Sequence, residues 1–426
     1  MSAQLAAIAI FIAVFAIAAF RGVHLGIMMF AAGAGAGVWL AGMPLRDVVR
    51  GFPVNIMVLL VGVTYFFAIA HVNGTIDRLI KRVLARVGGN AVVLPLVFFF
   101  LTASIAAMGS PLAGLMMAPL GLPMAHRQGA DPVLMALAIG NGITAGAFAP
   151  TSLFGIVSYG TARQAGIDLN PFTLFAVSLV ANLLVMLAAY ALFGRTSDIT
   201  RRAAPASPAA GAVASGAIAN APFTRSQVAT VVCMVGLIVT VLGTALAGFD
   251  PDIGVFAFAF GAVLALIDPV SGKAAVARID WSTVLLVGGI VTFAGVLQTM
   301  GAVDLLGHAA TRIGAPILAS LVICMIGALV SAFASTTGIL AAVVPLAVPL
   351  VAGGNVAGWA LISALAVCAA LVDVSPFSTT GATLIASAHE DERARMTSML
   401  TRWGLGMVVI GPVVLVGTLV LFSSIP

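Results

Sequence analysis

Four short stretches place small polar residues inside long apolar runs. "AFASTTGILAAVVPL", residues 332–346, sets Ser335, Thr336 and Thr337 in a row, followed by an apolar helix and Pro-Leu. "AAMGSPLAGLMMAPL", residues 106–120, lies 226 positions earlier with Gly109, Ser110 and Pro111 at its turn and the same ending. Two further interruptions are "GNGITAGAFAPTSLFG" at 140–155 and "ALVDVSPFSTTG" at 370–381. Proline removes a backbone donor and breaks a helix, and neighbouring Ser and Thr hydroxyls satisfy the freed backbone groups. The expected product is four half-helix N-termini, each offering free N–H groups and a hydroxyl. Such termini carry partial positive charge and bind carboxylates without a buried base. None of the four segments contains Lys or Arg.

This chemistry suits an anion held by Gly109, Ser110, Pro111, Ser152, Ser335, Thr336, Thr337, Ser378, Thr379 and Thr380. The carbonyls freed at the breaks, with oxygens of Ser110, Asn141, Thr144, Thr151, Ser335, Asp373 and Ser375, supply the all-oxygen shell that a hard cation such as Na⁺ requires. A single hydroxyl in an apolar helix usually bonds back to a carbonyl or ties helices together; clusters at the breaks of both halves argue for binding. Asp373 is the only carboxylate expected at membrane depth, where a charge costs about 2.5–3.5 kcal/mol on insertion scales, so it is read as a cation ligand or proton carrier. His71 is read as packing or snorkelling at a span end. Trp39, Trp281, Trp359 and Trp403 are read as interface anchors, and Cys233, Cys324 and Cys368 as inert buried thiols.

These residues must be held by membrane helices. Of 426 residues, 62% are hydrophobic and 8% charged, against roughly 25% charged in soluble domains. Apolar runs near the length needed for a core of about 30 Å recur from end to end, and lipid without strand-like alternation demands helices. The first run, 3–20, lacks a basic leader and reads as a retained helix. The net charge of +5 follows membrane topology, and no nucleic-acid partner is expected.

A constant offset of 226 pairs "LLVG" at 59–62 with "LLVG" at 285–288, Gly35 with Gly261, Pro119 with Pro345, Pro150 with Pro376, and Gly155 with Gly381. The chain is therefore one unit written twice: 1–195, a linker at 196–226 rich in Ala, Pro, Ser and Gly, and 227–426. Spans are expected at about 3–20, 24–42, 54–72, 133–160 and 171–194, then at 228–248, 252–268, 281–300, 358–388 and 403–423. Re-entrant hairpins are expected at 93–125 and 316–351. Five crossings per half make the halves inverted. With both termini outside and the linker cytoplasmic, 15 of the 19 basic residues fall on the cytoplasmic side, as the positive-inside rule asks. The expected fold is an all-α polytopic membrane protein of two inverted-topology repeats, each with five spans and one hairpin, and with broken helices at the midplane. That architecture is a signature of secondary transporters.

The tips followed ten residues later by Pro, the two hairpins, and "APTS" at 149–152 with "SPFS" at 375–378 resemble the divalent anion/sodium symporters of the ion transporter superfamily. Ser335-Thr336-Thr337 matches two of three residues of that family's Ser-Asn-Thr tip, and Gly109-Ser110-Pro111 matches loosely. The wording "NGITAGAFAPTSLFGIVSYG" and "GSPLAGLMMAPLG" is most similar to MatC-type dicarboxylate (malonate) carriers, chiefly over residues 1–160. The resemblance implies Na⁺-coupled import of a small dicarboxylate, malonate first, a homodimer with an elevator-like transport domain, and placement in the bacterial inner membrane. No cofactor is expected beyond Na⁺ as coupling ion. The alternatives on the same fold are an H⁺-coupled or exchange carrier of C4-dicarboxylates or another organic anion, and an oxyanion exporter or pump subunit. An enzyme is not expected, because no ligand-spaced His/Cys/carboxylate cluster or phosphate-cradling loop occurs at membrane depth.

Overall fold

The computed structural model describes residues 2–86, 92–109, 114–194, 222–249, 252–302, 316–332, 336–352 and 356–423. Within them the regular structure is all helical. The first half contributes α1 (Ser2–Arg21), α2 (Leu25–Gly35), α3 (Leu45–Arg50), α4 (Val54–Val72), α5 (Thr75–Arg86), α6 (Leu94–Ala107), α7 (Ala118–Gln128), α8 (Pro132–Ala147), α9 (Leu153–Gln164) and α10 (Pro171–Phe193). The second contributes α11 (Arg225–Leu246), α12 (Ile253–Ile267), α13 (Pro269–Val276), α14 (Trp281–Thr299), α15 (Pro316–Ser331), α16 (Thr336–Ala352), α17 (Gly358–Leu371), α18 (Thr379–Ser387) and α19 (Glu390–Leu415).

Six stretches, among them Val54–Val72, Pro171–Phe193 and Gly358–Ser387, are long and apolar enough to cross a membrane. Shorter apolar helices of 10–17 residues accompany them, and the chain is a multi-pass membrane protein. The limits of α4 and α14, of α6 and α15, and of α8 and α17 each recur within a few residues at the 226 spacing. The short helices α3 and α13 also correspond, and no apolar run announced either. The residue preceding each cannot continue a helix freely: Pro44 before α3, and Asp268 before Pro269, its side chain accepting from the Ser271 N–H at 3.1 Å.

Two boundaries differ from the sequence expectation. The linker was expected to run to 226, but α11 starts at Arg225, because Thr224 and Gln227 form a reciprocal capping box that satisfies two end donors at once. Most of the linker, 196–221, lies outside the described residues. The segment 75–86, read only as a cytoplasmic basic stretch, forms the amphipathic helix α5, with Ile76, Leu79, Ile80 and Val83 on one side at the spacing of a single helical face.

Helices from opposite halves exchange partners. α2 packs on α14 as α4 packs on α12, and α9 packs on α16 as α18 packs on α7. Glycine permits the first pair: a Cβ on Gly289 would lie 1.8 Å from the carbonyl oxygen of Gly26, and one on Gly254 would lie 2.7 Å from the Cα of Leu59. At the centre, α8 is buried along its whole length and α17 from Ala360 to Leu371, as helices apolar all round should be. The Thr144 hydroxyl lies 3.5 Å from the Ala370 carbonyl, and 370 − 144 = 226. Corresponding residues that meet mark the place where the two halves face each other.

Candidate functional site

Both helix breaks are present, at 148–152 and at 372–378, whereas the hairpin tips at 110–113 and 333–335 lie outside the described residues. Helix α8 stops at Ala147 and α9 resumes at Leu153; α17 stops at Leu371, a short 3₁₀ turn covers Val372–Val374, and α18 resumes at Thr379. One tie recurs in each half. The first hairpin helix ends next to Ala106 in one half and Ala332 in the other, and the carbonyl of each accepts from a side chain of the broken helix. The hydroxyl of Ser152 donates to Ala106 at 2.7 Å, and that of Ser375 donates to Ala332 at 3.0 Å. Thr151 adds a bond to Ala107 at 2.8 Å. Each hairpin is thus fastened to the broken helix of its own half. Ser152 and Ser375 spend their hydrogens on these carbonyls, which leaves only oxygen lone pairs to face a ligand.

The second-half tip is a connected polar network. Ser331 donates to Thr336 at 3.1 Å, and the Thr336 side chain lies beside the Asp373 carboxylate. Thr380 reaches the same carboxylate at 3.5 Å. Ser378 turns its hydroxyl back to the Asp373 carbonyl and accepts from the Gly381 N–H at 3.0 Å, capping α18. Thr337 is buried beside this network and Thr379 is exposed. Ser331 was not read as a site residue; its only sequence signal was a hydroxyl one turn ahead of the tip. Ser335 lies outside the described residues.

The first half is organised differently. Gly109 sits at φ 109°, with Phe67 where a Cβ would stand, so only glycine fits this turn. Ser110 and Pro111 lie outside the described residues. Gly114 and Leu115 are already helical, a turn at Met116–Met117 interrupts the helix, and α7 continues from Ala118. Gly114, before that turn, packs within van der Waals reach of Thr102 and Ile143.

Asn141, on α8, is 1% exposed, and among the described residues neither its amide nitrogen nor its oxygen has a hydrogen-bond partner. Its neighbours fix its direction. Gly140 packs against Val374 of the second half, and Gly142 against the Phe99 carbonyl of hairpin 1. At 100° per residue, Asn141 projects into the sector between these contacts. Thr144 bonds the Gly140 carbonyl at 3.2 Å as well as facing Ala370. Behind it, Asn182 donates to the Ser178 carbonyl and Ser178 donates to the Thr144 carbonyl, at 2.9 and 3.3 Å. That chain was also missed, although two polar residues at i, i+4 in the apolar α10 were visible.

The corresponding positions make the halves chemically unequal: Asn141 answers to Val367, and Asp373 to Ala147. One half offers a neutral amide and the other a carboxylate. Two cavities lie apart from these groups. One, about 590 Å³ and apolar, runs between α5 and α6 up to Met108; the other, about 50 Å³, lies among α9, α14 and α16 beside Thr161, Gln164 and Gln298.

Residues 1–147 match the family model described as the N-terminus of the dicarboxylate carrier protein MatC. Residues 252–425 match the model described as citrate transporter. Both halves are similar to transporters of organic anions. The chain also shares its fold with the YdaH transporter of Alcanivorax borkumensis, whose crystal structure revealed an unusual topology, at a TM-score of 0.54, 15% identity and 88% coverage of each chain. No sequence among the curated proteins matches. The likeness is to carriers rather than to enzymes.

Proposed function

We propose that this protein is a secondary transporter of small organic dianions, with malonate as the expected substrate and Na⁺ as the coupling ion. The observation that carries the reading is the pairing of two transporter-like halves with hydroxyl-rich breaks that contain no basic side chain. The dianion is bound by hydroxyls and N–H groups from both tips: Gly109 and Ser110, at the turn that Pro111 shapes, from one half, and Ser335, Thr336, Thr337, Thr379 and Thr380 from the other, while Ser152 and Ser378, their hydrogens given to carbonyls, hold the breaks in shape beside it. Cations sit beside it, at Asn141, Thr144, Thr151 and Ser110 in the first half and at Asp373, Ser375 and Ser335 in the second.

Charge explains the coupling. Moving one charge against the membrane potential costs about 2.3 kcal/mol per 100 mV, so a dianion entering an inside-negative cell needs at least two cations to cancel that cost. The Ser152 and Ser375 ties make each hairpin move with its broken helix. We assign the cycle as an elevator-type motion of these elements within a homodimer, with inverted halves, termini outside and linker 196–226 inside the inner membrane. Asp373 supports a second reading, in which its carboxylate carries a proton and the carrier is H⁺-coupled or an exchanger of other organic anions.

Proteoliposome uptake of labelled malonate, succinate, malate and citrate, each in Na⁺ and in choline at fixed pH, tests both. Malonate uptake that requires Na⁺ supports the first reading. Uptake indifferent to Na⁺ but following a pH gradient supports the second, and uptake of none of the four removes the substrate class.

A further inference from the structure

One groove of the protein has no part in the proposed carrier site. Helix α5 rests on α4 and α11, while α6 rests on α8, so the two walls are held from opposite sides. The space between them is the apolar cavity of about 590 Å³, within the range of about 300–1,000 Å³ usual for ligand pockets. Ile76, Ile80 and Val83 line it from α5, and Val97, Leu101 and Met108 from α6. Among the described lining residues Ser104 alone is polar, and its hydroxyl donates to the Phe100 carbonyl at 2.8 Å. Nothing in the lining can meet a carboxylate, which excludes the transported anion. The rim is open: Val83, Val93 and Phe100 are 39%, 46% and 51% exposed.

Charge distinguishes this rim from the rest of the apolar surface. The α5 sequence, TIDRLIKRVLAR, carries four basic residues and one acid, Asp77. Arg78 donates to Gln227 at 2.7 Å, and Arg78 and Arg82 lie over the Phe223 ring at 5.5 and 4.2 Å. These contacts pin the polar side of α5 to the start of α11. Lys81 is exposed beside them, as is Asp77. At the 226 spacing Arg78, Lys81 and Arg82 answer to Asp304, Gly307 and His308, whereas Leu79 and Ile80 answer to Leu305 and Leu306. The apolar positions are repeated and the basic ones are not, so the fold does not require the positive charge.

We propose that this groove binds an anionic phospholipid, with one acyl chain between α5 and α6 and the headgroup against Lys81. An amphipathic helix sits at the boundary of headgroups and acyl chains, and its basic residues attract anionic lipid. The chain's own linker is a poorer occupant: 196–221 is mostly Ala, Gly, Ser and Pro, with Ile199, Val213 and Ile218 as its larger apolar residues and Arg201 and Arg202 to be repelled by α5. The acyl chain reaches Met108, one residue before the Gly109 turn, and so lies along hairpin 1 up to its tip. The orientation proposed above sets only which leaflet supplies the lipid.

The test is lipid retention by the purified full chain, with no transported substrate present. The protein is taken from nanodiscs of equal phosphatidylglycerol and phosphatidylcholine into detergent, and the lipids bound per chain are counted by native mass spectrometry. Wild type should keep one phosphatidylglycerol, preferred over phosphatidylcholine by about fivefold or more, the factor that about 1 kcal/mol per basic residue near an anionic surface implies. Lys81→Gln should cut that preference about fivefold. Ser104→Phe places a ring in the groove at an exposed position and should abolish retention. Ser104→Ala loses the same hydrogen bond but leaves the groove open, and should retain lipid as wild type does. Equal retention of both lipids, retention that survives Ser104→Phe, or a wild-type chain that keeps no lipid would each overturn the proposal. No transport is measured, so failure of the malonate reading and failure of this one are separate results.

Discussion

Asn141 offers the sharpest test of the proposed cation site because its predicted effects have opposite signs in two buffers. At about 1–2 kcal/mol for each of its two unpartnered atoms, the lower part of the usual range, the buried amide costs about 2–4 kcal/mol. Asn141→Ala removes that cost and leaves a void of three heavy atoms, worth on the order of 2 kcal/mol. In choline the variant should therefore be as stable as wild type or up to about 2 kcal/mol more stable, an unusual result for truncating a residue that is 1% exposed. In Na⁺ the order should reverse. A ligand at a hundredfold its Kd adds about 2.7 kcal/mol to the folded state; wild type should gain that and the variant should not. The assay is thermal unfolding of both proteins in detergent, in matched NaCl and choline chloride. A variant clearly less stable than wild type in choline, or one that keeps the full Na⁺ response, would refute the argument.

Three other outcomes are expected. Thr336→Val removes the hydroxyl that accepts from Ser331 beside Asp373; a net hydrogen bond is worth about 0.5–1.5 kcal/mol, so ligand affinity should fall about two- to tenfold while the protein still folds, as read by titrated thermal shift. Gly289→Ala drives a Cβ to 1.8 Å from the Gly26 carbonyl oxygen, whereas Gly295→Ala meets nothing within 4 Å; the first should lose folded yield on size-exclusion and the second should not. Asp268, outside the spanning helices, is held below its ordinary value of 3.8, first by the Ser226 hydroxyl and then by the Ser271 N–H. Its stabilising contribution is present above pH 3.8 and lost as pH falls through the lower folded value, so Ser226→Ala should shrink the acid-side loss in a melt series from pH 5 to pH 2.5.

The local chemistry was legible in the chain. Apolar runs of membrane length, prolines at 150 and 376, and hydroxyls beside them suffice to place helices and their breaks, because a helix in lipid is decided by its own backbone bonds and side chains. The 226 offset gave the repeated order of elements for the same reason. What the residue types could not settle is which hydroxyls are free. Ser152 and Ser375 looked like ligands, yet their hydrogens close the hairpins onto carbonyls 46 and 43 residues away. Asn141 looked like one polar residue among several, and only packing left it without a partner. The stack of the His126 ring on the His389 ring joins residues whose neighbours in sequence give no hint of each other. The sequence by itself determined the membrane class, the duplication and the positions of the breaks, all of which follow from interactions within a few turns. Tertiary structure decided which polar atoms are satisfied, where the halves touch, and how unequal the two halves of the site are, because those depend on contacts that no local periodicity encodes.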